Sequence, residues 1–208
     1  MANTEAENKK TYHHGDLRAE LLRAAEEVLS ADGIEAFSLR AVAKRAGVSH
    51  GAPAHHFGDV RGLLTALATI GYERFVETQV DRQRRAAPDA KSQLTASGLG
   101  YIDFAMQNSA LFRLMFSSQK PDKAERTLED AANAAFSKLE SDIRSFRNSS
   151  DLHDSTFMKD VTSAWAMVHG LAELMIAGRS PLTAALDQMT QPDRDATLSD
   201  IILRAIGD

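Results

Sequence analysis

Leu39, Val42, Ala43 and Ala46 repeat at i, i+3, i+4 and i+7, and Gly47 cuts the pattern off at once. A stripe that short, closed by a glycine, is a two-turn helix that must reverse direction, because Gly47 admits the positive φ that costs a residue with a Cβ roughly 1 kcal/mol or more. Ser38 stands where an N-cap belongs. Val48 is then the apolar residue of a tight turn, Ser49 a second N-cap, and His50 to Phe57 a third, short helix. Pro53 falls early in that helix, where it removes a donor and pushes Ala52 from helical angles, so a distorted first turn is expected. Two short helices joined by a glycine turn, the first apolar inward and the second polar, make a helix-turn-helix unit.

Helical periodicity continues almost throughout, with neither strand alternation nor an internal repeat. The expected fold is all-α. A first helix is predicted to start with Asp16 as N-cap and to bury Leu17, Leu21, Ala25, Val28 and Leu29 before Gly33 stops it. After Asp59 comes a longer helix with Leu63, Leu67, Ile70 and Phe75, closing near Arg82, Arg84, Arg85 and Pro88. Apolar segments follow at 99–106 and 111–116. A helix opening at Pro121 is predicted to carry Ala124, Leu128, Ala131, Ala135, Leu139, Ile143 and Phe146. Residues 147–155 read as a loop, and a further helix carries Phe157, Val161, Trp165, Val168, Leu171 and Met175 up to Gly178. The last helix follows Pro192, with Leu198, Ile201, Ile202, Ala205 and Ile206. An apolar stripe so near the end needs a partner surface.

Charge is distributed unevenly. Residues 1–85 hold 12 Lys+Arg and 12 Asp+Glu, whereas residues 86–208 hold 12 and 17, which accounts for the whole net charge of −5. Within 38–58 stand Arg40, Lys44 and Arg45 and no acid, and five of the seven histidines (His13, His14, His50, His55 and His56) precede residue 60. A local positive face is therefore compatible with an acidic total. The amides that Ser49 caps favour an anion such as phosphate, small Gly51 and Ala52 let backbone approach a groove, and His50, His55 and His56 can donate to phosphates or bases. The segment is shaped to press against double-stranded DNA.

The stretch "GIEAFSLRAVAKRAGVSHGAPAHHFGDVRGLL", residues 33–64, resembles the TetR/AcrR-type transcriptional regulators. Downstream, "AWAMVHG" (164–170) is similar to the Trp-x-x-x-His-Gly (WHG) signature of one C-terminal domain type in that family, and "SALFRLMFS" (109–117) resembles the same domain. The resemblance implies an N-terminal three-helix DNA-binding head joined to a larger helical ligand-binding and dimerisation body. We place a flexible arm at 1–11, the head at 12–72 and the body at 73–208. The implied DNA contacts are Arg40, Ser49, His50, Gly51 and Ala52 at bases or nearby backbone and His55 and His56 along the phosphates, with Ser38 and Arg61 beside them. The family usually has Tyr where this chain has Ala54, and Lys where it has Val60.

Function follows as an expectation: a sequence-specific transcriptional regulator, a repressor released by a small-molecule effector that shifts the helix after Asp59. One recognition helix reads only a few base pairs, so a homodimer through the C-terminal helices is expected, its two heads meeting successive major grooves. Met and Phe suit adaptable apolar contacts, and Phe104, Phe112, Met115, Phe116, Phe136, Trp165 and His169 are the candidate effector-pocket residues. Two other readings stay open: a helical-bundle enzyme with a histidine base, and a dimeric sensor that has lost DNA binding. No nucleophile elbow, phosphate loop or i, i+4 metal-ligand pair supports catalysis, and neither a catalytic residue, a metal nor a cofactor is assigned. With no cysteine, no apolar leader in 1–11 and no run of about 18 apolar residues, a cytoplasmic protein that spans no membrane is expected.

Overall fold

The computed structural model describes residues 14–148, 155–179 and 181–206, and all of its regular structure is helical. The order is α1 (His14–Asp32), α2 (Leu39–Ala46), α3 (Ala52–Phe57), α4 (Val60–Arg85), α5 (Ala90–Gln107), α6 (Ser109–Phe116), α7 (Arg126–Arg147), α8 (Ser155–Ala177), α9 (Pro181–Asp187) and α10 (Gln191–Ile206). Two compact units divide the chain, 1–63 and 64–208, so the division falls inside α4. The expected arm at 1–11 lies outside the described residues, as do residues 149–154 of the loop expected at 147–155, whose ends Arg147 and Ser155 belong to α7 and α8.

In the first unit α2 packs on α1 and α3 on α2. Ser38 caps α2 by accepting the Ala41 N–H at 3.2 Å, and Gly47 closes it at φ 67, its amide and that of Val48 returning to the carbonyls of Lys44 and Ala43. Leu21, Ala25, Val28, Val42 and Ala43 form the apolar centre. Helix α1 begins at His14, so Asp16 falls inside its first turn instead of capping it.

In the second unit α5 is the central rod, packed against α6, α7, α8 and α10. Its buried residues include Leu94, Leu99, Ile102, Phe104 and Ala105; Leu94 clusters with Val161 and Ala164 of α8, and Gly98 faces Val168 of α8 and Ile202 of α10. Arg82 ties the end of α4 to two neighbours, with Nε 2.6 Å from Asp103 on α5 and Nη1 2.6 Å from Asp195 on α10. Charge-assisted pairs of this kind fix the register of helices whose apolar faces alone would allow sliding.

Two expectations change here. Pro121 does not open α7. It lies buried in the preceding turn, where the amide of Asp122 donates to Thr65 Oγ1 at 2.8 Å, a tertiary bond that replaces helical pairing. Glu125 takes over as N-cap, accepting from the amides of Thr127 and Leu128 and from the Thr127 hydroxyl, and the hydroxyl bond above all holds its carboxyl below the usual range. The predicted stripe survives from Leu128 onward, without Ala124. Helix α9 is an addition to the expected elements, a two-turn piece that buries Thr183 and Leu186.

Candidate nucleic-acid interface and ligand cavity

Helix α3 starts at Ala52, three residues after the expected cap. Its N-cap position is Gly51, with no side-chain cap, and Pro53 lies within the first turn. The shift has a simple cause: at the second helical position a missing N–H has no intrahelical acceptor to lose, so Pro53 fits without distortion. Ser49 closes the preceding turn through its carbonyl, which accepts the Ala52 amide at 3.0 Å. The capping role assigned to Ser49, and the distorted turn expected at Pro53, are therefore corrected.

Around this turn Arg40, Ser49, His50, Gly51, His55 and Arg61 are exposed, while Ser38, Ala52 and His56 are half-buried. The basic residues differ in how they are used within the chain. Arg45 pairs with Glu27 at 3.3 Å, and Arg18 lies 5.1 Å over the Phe57 ring. Arg40 and Lys44 are exposed with no ion pair among the described residues. Gly51 has ordinary helical angles, and a Cβ built there meets nothing within 4 Å. Nothing inside the molecule requires a glycine at that position. His55 and His56 are edge-on at 5.4 Å, and among the described residues no group of His, Cys, Asp or Glu is placed to hold a metal ion.

The second unit holds an open-sided cavity of about 740 Å³. Its walls come from α4 (Ala68, Tyr72, Phe75, Gln79), α5 (Tyr101), α6 (Met115, Phe116), α7 (Leu128, Phe136, Leu139) and α8 (Thr162, Trp165, His169). Of the seven candidates from sequence, Met115, Phe116, Phe136, Trp165 and His169 line it. Phe104 and Phe112 do not. Both are 0% exposed and lie in the packing behind the wall, Phe104 against Phe75 at 5.4 Å and Phe112 against His169 at 5.3 Å. Sequence reasoning missed Tyr72, Gln79 and Tyr101 and named Phe75 only among the apolar residues of the helix after Asp59. The signal was the i, i+3, i+7 spacing of Tyr72, Phe75 and Gln79 on one face of α4.

Tyr101 and His169 form the polar centre of the cavity, Tyr101 Oη lying 2.7 Å from His169 Nδ1. Burial pushes the Tyr101 phenol above its ordinary value, with a smaller opposing pull from the Trp165 indole, so the hydroxyl keeps its proton. Tyr72 is likewise raised by burial. Gln79 is buried, its amide donating to the Phe75 carbonyl at 3.3 Å and its Oε1 accepting from Ser97 Oγ at 2.9 Å. Ser97 belongs to a buried network: Asp142 lies 2.7 Å away, and Lys138 donates to both, at 3.0 Å to Ser97 and 2.7 Å to Asp142.

A glycine-turned helix pair on a small unit, carried by a helical body with an aromatic cavity, defines the helix-turn-helix regulators as a class. Comparison with known proteins agrees. Residues 21–67 match the family described as bacterial regulatory proteins, tetR family, and residues 94–196 match the tetracyclin repressor-like C-terminal domain. The chain is 31% identical over 97 residues to the HTH-type transcriptional regulator BetI of Stenotrophomonas maltophilia, covering 47% of this chain and half (50%) of that protein's length. It is 25% identical over 183 residues to an uncharacterized HTH-type transcriptional regulator of Mycobacterium tuberculosis, covering 82% and 89% of the two chains. A solved structure of unknown function from Rhodococcus sp. RHA1 superposes with a TM-score of 0.76 at 30% identity, over 94% of this chain and 98% of that one. The TetR family regulator PfmR of Thermus thermophilus, at 16% identity, a TM-score of 0.64 and coverage of 90% and 99%, shares the fold. The chain belongs to the tetR family of bacterial regulatory proteins. It is a DNA-binding transcriptional regulator of the helix-turn-helix type, and no single described helix is long and apolar enough to cross a membrane.

Proposed function

We propose that this regulator is a cytoplasmic repressor that binds a two-fold operator as a homodimer and is released when a small molecule fills the cavity of the second unit. The observation that carries the reading is the place of α4. It begins in the unit 1–63 and, further along, presents Ala68, Tyr72, Phe75 and Gln79 to the cavity. A ligand wedged against those side chains acts on the helix that leads from the head. To change operator occupancy usefully, the ligand must favour one position of α4 by a few kcal/mol.

The exposed, unpaired Arg40 and the bare backbone at Gly51 support contact with the duplex, with Ser49, His50 and Ala52 beside them, His55 and His56 along the phosphates, and Ser38 and Arg61 at the margins. Dimerisation is assigned to α8 and α10. Ser163, Gly170 and Leu174 follow one face of α8, Leu174 is 52% exposed, and a Cβ at Gly170 meets nothing within 4 Å. A second copy of α8 can approach such a face closely. No catalytic step is assigned to the histidines.

Trp165 is the only tryptophan in the chain and lines the cavity, so its fluorescence reports occupancy directly. Compounds that change Trp165 emission are expected to release the protein from a selected duplex fragment with the same midpoint. A compound that saturates the emission change and leaves the duplex bound contradicts release by this cavity.

A further inference from the structure

Resting on the reading of the cavity as an effector site, we propose that its effector is a neutral, ring-bearing molecule with a carbonyl-type acceptor, which the Nε2–H of His169 receives. The tautomer follows from the neighbours. Among the described residues the Tyr101 hydroxyl has one hydrogen-bond partner, His169 Nδ1 at 2.7 Å, and we assign its proton to that bond. Nδ1 thus accepts, and the proton of the ring sits on Nε2. Among the described residues no polar partner takes that second N–H. His169 lines the cavity, and its ring is held through Nδ1 by a Tyr101 side chain that is itself only 5% exposed.

The rest of the wall sets the remainder of the ligand. Phe116 and Trp165 flank the His169 ring with centroids 5.3 and 6.4 Å away, and Phe136 stands 6.2 Å from Trp165, so a flat ring system finds aromatic faces on several sides. The charged side chains of the lining are Lys123 and Glu129, one of each sign and both exposed. No fixed cation lies deeper to receive a carboxylate, and no carboxylate to receive an amine, so a buried ligand charge stays uncompensated. At about 740 Å³ the cavity is in the range that holds a drug-sized molecule.

The test uses the full chain and three probes of one skeleton, naphthalene, 2-acetylnaphthalene and 2-naphthoate, with dissociation constants from equilibrium dialysis at pH 8. The ketone is expected to bind roughly five- to tenfold more tightly than the hydrocarbon, the worth of one neutral hydrogen bond. The naphthoate is expected to bind more weakly than the ketone. In His169→Phe the ratio of ketone to hydrocarbon affinity should fall to about one, and in His169→Gln, which keeps a donor near the Nε2 position, most of it should return. The carbonyl stretching band of the bound ketone should lie lower in the natural protein than in His169→Phe. Equal binding of ketone and hydrocarbon, or tighter binding of the naphthoate, overturns the proposal while leaving the cavity an effector site. Failure of all three probes to bind overturns both.

Discussion

Gly62→Ala is expected to lower operator affinity by about tenfold or more, since each ~1.4 kcal/mol used to restore the head geometry is one factor of ten. The reason is a contact between backbone and side chain that has no flexible partner. A Cβ at residue 62 would lie 2.1 Å from the carbonyl oxygen of Phe57, the last residue of α3. That oxygen also receives the amide of Asp59, whose carboxylate in turn accepts the Gly62 amide at 2.8 Å at the start of α4. The methyl group can be admitted only by moving the end of α3 or by opening this turn, and overpacking of that kind costs roughly 1–3 kcal/mol. Gly51→Ala is the contrasting variant. Its surroundings are empty and its φ is −82, so thermal stability should hold while duplex binding weakens through lost backbone access. Duplex titration and thermal denaturation of both variants check the pair, and a Gly62→Ala protein with full operator affinity would contradict this packing account.

The second large effect concerns stability. Asp142→Ala is expected to destabilise the second unit by about 3–5 kcal/mol, because it strands a buried ammonium. Lys138 and Asp142 are only 12% and 13% exposed, and the carboxylate also accepts from Gln83 at 3.0 Å. For a body of this size, the loss corresponds to a fall of roughly 10 °C in melting temperature. Replacing both members with apolar residues, Lys138→Met with Asp142→Leu, should recover most of it, because the desolvation of two charges is removed together with their attraction. A single Asp142→Ala variant that melts with the natural protein would show the pair to be solvated.

These features are unequally legible in the sequence. The α2 stripe, the Gly47 stop and the Ser38 cap are readable because each rests on neighbouring residues alone. The start of α3 is easily misplaced because Ser49 satisfies the local capping rule, yet Pro53 fits only if the helix begins later. Pro121 misleads for a related reason: proline suits a first helical turn, but Thr65, distant in sequence, captures the Asp122 amide. The cavity is half legible. Aromatic residues on α6, α7 and α8 can be named from composition and spacing, but whether Phe112 or Tyr101 faces the opening depends on the rotation of packed helices, which no local pattern records. The Lys138–Asp142 pair is hidden similarly. At i, i+4 on a helix it reads as surface charge, and only the packing of α5 and α4 over it makes it interior.

On the proposed reading, operator binding depends above all on a head that grips a duplex through its exposed cations. With Arg40, Lys44 and Arg61 exposed on each head, contact with even two phosphates per head in a dimer gives a slope of about −3.6 for log K against log salt concentration. Titrating the full chain against a duplex fragment selected from a random pool, across a range of salt, measures that slope directly. A straight line of about −3.6 or steeper is the predicted result. A flat line, or a pool from which no fragment is enriched, would contradict it.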